Sequence, residues 1–453
     1  MNTNQYLAEE KISKLILKFS IPCITSMLVS SLYNIVDQIF VGRGIGYLGN
    51  GATNVVFPIT VITLALALLI GDGCRAYLSI ALGKNNEKTA AQTVGNAITV
   101  TVITAIAATV LFLVFKDKIL IAFGATENNI RYAEEYFGVI VLGIPFYMFT
   151  SALNSVIRAD GSPAFAMAST IIGCVINLIL DPLAIFVFKM GMTGAALATI
   201  TGQIVTAVLS GIYITRMKSV KLIQKSFRPD FKIIKSFLPL GISSFLTQIS
   251  TVVAMGVMNN TLVKYGASSP YGADIPLTVM GIVMKVFQIV ISIAIGIAAG
   301  CQPIVGYNFG AGRTDRVREI YKAMMKAEIT LGVISLLMFQ IFPRQIIGIF
   351  GSESRLYNDF AVMVFRTYLI AIILCCIQKS SSVFLQAIGS PAKAMILSLM
   401  REFVINVPLV ITLPKFLGVT GVLYSAPIAD TVTFIATVLI MIPTMKKLKI
   451  QNQ

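Results

Sequence analysis

The sequence predicts an all-α integral membrane protein, with twelve transmembrane helices in two six-helix bundles related by a pseudo-two-fold axis along the membrane normal. Three observations predict it. Hydrophobic residues make up 56% of the 453 positions and charged ones 12%, with mean hydropathy +0.83, whereas a soluble domain carries about 25% charge. Apolar runs of about 20 residues recur, each long enough to cross ~30 Å of hydrocarbon as a helix. The two halves also repeat at an offset of roughly 227 positions. Gly124 matches Gly351, Gly161-Ser162-Pro163 matches Gly389-Ser390-Pro391, Pro182 matches Pro408, and Gly194 matches Gly421. Leu82-Gly83 likewise matches Phe309-Gly310. Six spans per half, an even number, give both halves one orientation and hence the parallel kind of repeat.

The first span, 19–41, follows a polar, mixed-charge N-terminus with no pattern of a cleavable signal. The second, 52–78, closes on Asp72 and Arg75, which are expected to pair locally, and the third is 91–115. The fourth, 134–157, stops before Gly161-Ser162-Pro163, and the fifth, 164–188, contains Pro182. The sixth, 193–215, leads into a basic link, after which the seventh is 236–263 and the eighth 276–306. The ninth, 325–343, follows the polar run AGRTDRVREIYKAM, which, like KNNEKTAAQ before the third, reads as an amphipathic connector. The tenth is 358–385, the eleventh 394–413 and the twelfth 419–443. The expected division is an N-terminal lobe 1–215, a linker 216–235 and a C-terminal lobe 236–453.

Basic residues orient the chain. Arg216, Lys218, Lys221, Lys225, Arg228, Lys232 and Lys235 crowd the link against the single acid Asp230. Lys11, Lys14 and Lys18, then Arg313, Arg316, Arg318, Lys322 and Lys326, then Lys446, Lys447 and Lys449 fall on the same face. The other face is more balanced, with Glu127, Arg131, Glu134 and Glu135. Positive-inside logic predicts a multi-pass protein of a bacterial inner (plasma) membrane with both termini cytoplasmic. The formal charge of +16 is then topological and split among loops, which argues against a nucleic-acid partner. The absence of histidine removes the commonest metal ligand and general base. Cys23, Cys74, Cys174, Cys301, Cys375 and Cys376 lack metal-ligand spacing and read as buried packing thiols. With no metal motif or nucleophile elbow, the chain is not expected to be an enzyme.

Carboxylates inside spans need a reason, since each costs roughly 2.5–3.5 kcal/mol on insertion scales. Asp37 in SLYNIVDQIFVG and Asp181 in CVINLILDPLAI both lie about 17 or 18 residues from the cytoplasmic start of outward-running spans. At 1.5 Å per residue that is a common depth of roughly 25 Å. Asn177 lies one turn deeper on the face of Asp181, and Thr199 lies about six residues below the outer start of the sixth span. Pro182 deprives the Leu178 carbonyl of its helix partner and favours a kink. A freed carbonyl beside carboxylates suits a small cation, which takes oxygen ligands. Hydrogen bonding to structural neighbours is the plainer alternative for the two acids.

These features together resemble the multidrug and toxic compound extrusion (MATE) transporters, in their MepA-like branch. The resemblance rests on twelve spans in two lobes, the aspartate of VDQIFVG, the N-x-x-x-D-P of the fifth span and the repeated GSP. It implies export of small organic compounds, often cationic or amphipathic, by alternating access, driven by inward flow of Na⁺ or H⁺. It also implies a cation-coupling site of Asp37, Asn177, Asp181 and Thr199, which would be the Na⁺ ligands if sodium is the coupling ion. No cofactor beyond that ion is implied. The expected partners are the lipid bilayer and small organic substrates, and a monomer is expected. A dedicated metabolite exporter and a flippase for a lipid-linked precursor are the alternative readings.

The second half keeps the scaffold without the acids. Aligning Pro22 with Pro239 sets Ala254 opposite Asp37, and the later offset sets Val407 opposite Asp181 and Ala426 opposite Thr199. Some relatives carry an acid in the seventh span. Here there are Thr247 and Gln248, with no carboxylate from Pro239 through Leu262. Gln248, Lys285 and Asp430 are candidates for a second-lobe cavity. Lys285 and Asp430 sit at similar depth and either pair with each other or line that cavity. Lys379, Arg401 and Glu402 lie nearer the cytoplasmic side and are expected to snorkel.

Overall fold

Apolar length produces the spans, and they run past the hydrophobic segments at both ends. The computed structural model describes residues 6–123, 125, 129–272, 274–350 and 355–450. Gly124, Glu127 and Gly351 of the sequence reading lie outside the described residues. The first bundle contains α1 (Ile12–Gly44), α2 (Tyr47–Gly83), α3 (Glu87–Val114), α4 (Ile130–Ala159), α5 (Pro163–Pro182) and α6 (Gly191–Ile214). The second contains α7 (Phe231–Gly266), α8 (Asp274–Gly310), α9 (Thr314–Ile341), α10 (Arg355–Tyr368 with Ile372–Ala387), α11 (Pro391–Leu399 with Val407–Thr412) and α12 (Thr420–Ile450). Among the described residues eleven helices are long and apolar enough to cross a membrane, and α10, bent by 48° at its break, makes the twelfth.

The polar runs taken as connectors are the first turns of spans. Asn86 caps α3, its side chain accepting from the Thr89 N–H at 3.0 Å. The segment from Thr314 is already α9, because Thr314, Val317, Ile320 and Met324 bury one stripe while the charges face out. Both repeated prolines stand beside a π-helical turn. Pro182 is followed by one over Leu183–Val187, where the Phe188 N–H bonds the Leu183 carbonyl at 2.9 Å. In α11 the turn covers Met400–Asn406, just ahead of Pro408. All six cysteines are free and buried.

The bundles meet at the face that carries the linker and the ends of α1 and α12. There one apolar core is common to both, with Leu15, Phe19 and Leu78 against Phe237, Ile304, Val305 and Leu385. Towards the opposite face each bundle has its own core. Val56, Ile59 and Phe137 belong to the first, and Met280, Phe360 and Leu423 to the second. The molecule therefore forms a V closed at its terminal face.

Lipid offers apolar side chains no reason to leave it, so the seam depends on small residues that let backbones touch. A Cβ on Gly241 would meet the Leu69 carbonyl, and one on Gly73 the Phe237 carbonyl, at the α2–α7 contact. At the α1–α8 contact, a Cβ on Gly296 would lie 2.8 Å from the Ile24 Cα and one on Gly300 2.6 Å from the Ser20 Cα. The offset that takes Gly83 to Gly310 takes Leu69 to Gly296 and Gly73 to Gly300. The offset that takes Pro22 to Pro239 takes Ser20 to Phe237 and Ile24 to Gly241. The two contacts are thus one contact made twice, as the pseudo-two-fold requires. Gly83 and Gly310 themselves pack together, against Tyr307 and Ile80.

Candidate functional site

Between the bundles lies a cavity of about 530 Å³, the size of a drug-like ligand site. Its first-bundle wall includes Ser30, Tyr33, Asn34, Tyr147, Asn177, Thr199 and Gln203, and its second-bundle wall Thr247, Gln248, Gln288, Ser292 and Gln378. Most of the lining residues carry a hydroxyl or an amide. Seryl bonds close its terminal end: Ser20 Oγ donates to the Ile297 carbonyl at 3.1 Å, and Ser31 and Ser292 pair at 3.1 Å. Ser244 Oγ reaches across to Asp72 at 2.8 Å.

Asp37, Asn177, Asp181 and Thr199 come together behind the first-bundle wall. Asp181 is fully buried, Asn177 is 2% exposed and Thr199 9%, while Asp37 is half-buried. The Asp37 and Asp181 carboxyls from α1 and α5 are close neighbours. With its amide oriented to suit its neighbours, Asn177 donates to Asp181 Oδ2 at 3.0 Å. Its oxygen then accepts from the Thr199 N–H at 3.1 Å and hydroxyl at 3.2 Å. Asp181 Oδ1 is buried without a hydrogen-bond partner among the described residues. Asn177 and Thr199 also line the cavity, so they connect its contents to the buried acids. Two tyrosines complete the setting, and nothing in the spacing pattern singled them out. Tyr33, one turn before Asp37, and Tyr136 of α4 both stand close to Asp37, with Tyr136 also beside Asp181 and Thr199.

The second bundle departs from several expectations. Gln248 lines the cavity. Asp430 does not pair with Lys285: Arg401 Nε donates to its Oδ1 at 2.6 Å. Lys285 is exposed, one turn from the cavity-lining Gln288 on the same helix face. Lys379, Arg401 and Glu402 do not snorkel. Arg401 bonds Glu402 as well as Asp430, and Lys379 Nζ reaches Glu402 at 3.2 Å. All four side chains are at most 13% exposed. Matching depths had left pairing with Lys285 and lining the cavity both open for Asp430, and the π-helical turn of α11 presents Arg401 to it instead. Asp72 and Arg75 do pair, at 3.0 Å. Glu328, which the sequence reading did not single out, is fully buried in α9, with Oε1 accepting from Ser380 Oγ at 2.6 Å.

Comparison with known proteins matches the MatE family model over residues 22–183 and again over 240–412. A curated relative, the multidrug export protein MepA of Staphylococcus saprophyticus, is 25% identical across 96% of this chain and 95% of its own length. Among solved structures, a MATE protein crystallised with MaL6 superposes with TM-score 0.92 at 24% identity, covering 99% of this chain and all of the other. An outward-facing multidrug resistance MATE transporter of the MOP superfamily gives TM-score 0.91 at 24% identity over 99% of each chain. Both structural matches establish the fold.

Proposed function

The chain belongs to the MatE family, and from that premise we propose that it is a cation-coupled antiporter exporting small organic compounds, cationic or amphipathic, by alternating access. Asp37, Asn177, Asp181 and Thr199 form its coupling site and take H⁺ or Na⁺. Residues 1–215 and 236–453 act as the two rocking lobes, joined by the linker 216–235. Both termini are cytoplasmic, the protein lies in the bacterial plasma membrane, and it works as a monomer. On that orientation the cavity is open to the outside and sealed at the cytoplasmic face.

One observation carries this reading. Two carboxyls from different helices face each other at the first-bundle wall, and among the described residues no basic side chain pairs with either. Two bare negative charges so placed repel strongly at low dielectric, and a proton or a metal cation between them relieves it. The oxygens of Asp37, Asp181 and Thr199 suit a hard cation. Bringing α1 and α5 together around that cation changes the first-bundle wall that substrate touches. The cation drives transport only by binding the two states with different affinity.

Asp37→Asn keeps the shape and removes one charge. In everted vesicles it should abolish cation-driven accumulation of a fluorescent cationic dye, with protein levels in the membrane unchanged. Transport by this variant at the wild-type rate would refute the coupling site.

A further inference from the structure

At the end of the cavity nearest the terminal face, the first bundle contributes two arginines against one acid. Arg75 and Arg158 both line the cavity, at 3% and 8% exposure, and are close enough to repel each other. Of the two acids that line the cavity among the described residues, Asp72 is on their side, and it is committed. Asp72 holds Arg75 at 3.0 Å and accepts hydroxyls from Ser155 and Ser244, each at 2.8 Å. Across the cavity, Glu402 and Asp430 are matched by Lys379 and Arg401. Asp160, two residues from Arg158, is engaged by the Tyr213 hydroxyl at 2.5 Å and by the N–H groups of Lys218 and Ser219 at 2.9 and 2.8 Å.

Arg158 is left over. Among the described residues it has no ion-pair partner, and its Nε, buried, has no acceptor. An arginine held nine-tenths out of solvent without a counter-charge is costly. Its place in the last turn of α4 offsets part of that through the helix dipole. A bound anion would offset the rest.

We propose that Arg158, with Arg75 behind it, forms a subsite for the acidic group of the transported compound, a carboxylate, sulfonate or phosphate on an amphipathic body. This rests on the export reading and adds to it a preference, among amphipathic compounds, for those that carry an acidic group, zwitterions included. A zwitterion would place its acid on Arg158 and its cationic end toward the amide- and hydroxyl-lined part of the cavity. The guanidinium fork matches a carboxylate in two parallel hydrogen bonds, which a neutral ester cannot reproduce.

The test uses the full chain in lipid nanodiscs and two dyes that differ at one group. Rhodamine B carries a free benzoate beside its cationic ring system, and its ethyl ester lacks that negative charge. Binding is read by fluorescence anisotropy. Wild type should prefer rhodamine B by at least about fivefold. Arg158→Gln should lose about tenfold for rhodamine B and less than twofold for the ester, and Arg158→Lys should fall between. Equal affinity of wild type for both dyes, or tighter ester binding, overturns the subsite even if the glutamine variant does not fold. Ester binding in that case leaves the export reading standing. Binding of neither dye overturns the cavity as a substrate site, and the subsite with it.

Discussion

Replacing Gly296 and Gly300 by alanine should tip the molecule out of the V closed at its terminal face. An ideal Cβ at these positions lies 2.8 and 2.6 Å from backbone atoms of Ile24 and Ser20, where ordinary contact begins at 3.4 Å. Backbone cannot rotate aside, so α1 and α8 must part by roughly 1 Å in a seam where overpacking costs about 1–3 kcal/mol. Separation also stretches the Ser20–Ile297 and Ser31–Ser292 hydrogen bonds, both 3.1 Å and each contributing about 1 kcal/mol. A net penalty of about 3 kcal/mol shifts the ratio of closed to open terminal face by roughly a hundredfold. Spin labels at Lys189→Cys and Lys415→Cys, both exposed on the open side, with Cys174→Ala to remove the thiol that lines the cavity, read the result by electron–electron distance measurement. The double alanine variant should gain a distinctly shorter distance population. Gly73→Ala with Gly241→Ala, the two glycines of the symmetry-equivalent contact, should produce the same gain. An unchanged distribution in either variant would refute the argument that these backbone contacts hold the terminal face shut.

Two further predictions concern packing. Arg401→Gln strips Asp430, whose side chain is 4% exposed, of its guanidinium, and breaking such a buried pair costs about 3–5 kcal/mol. The apparent melting temperature in detergent should fall, and the double variant Arg401→Met/Asp430→Leu should recover most of the loss. Asn96 holds the linker by donating to the Ser226 and Arg228 carbonyls, each at 3.2 Å, and accepting from the Asp230 N–H at 2.6 Å. Asn96→Ala leaves these groups unmatched at about 1–3 kcal/mol. Amide exchange over residues 224–231 should accelerate while that of the spans does not.

Much of the architecture was legible along the chain because a bilayer imposes one dominant constraint. Every span must be apolar for about 20 residues and must satisfy its own backbone. Hydropathy and the GSP repeat therefore locate the helices, whereas the seam at Gly73 and Gly300 is set only by how the helices pack. The ends of α3 and α9 were not legible, since their first turns leave the hydrocarbon and need no apolar run. In the first bundle, depth and the N-x-x-x-D-P spacing were enough to assemble Asp37, Asn177, Asp181 and Thr199, because Asn177 and Asp181 share one helix face and few polar groups compete at that level.

In the second bundle the same reasoning failed for Lys285 and Asp430. Sequence determined how deep each side chain lies, the charge each span carries and the symmetry that relates the halves. It could not determine helix rotation, which decides whether two groups at one depth meet or face away. The tertiary structure set that rotation, through glycine contacts and the π-helical turn that swings Arg401 onto Asp430. It left Arg158 without a partner for the same reason: an ion pair depends on azimuth as much as on depth, and azimuth is fixed only when helices pack.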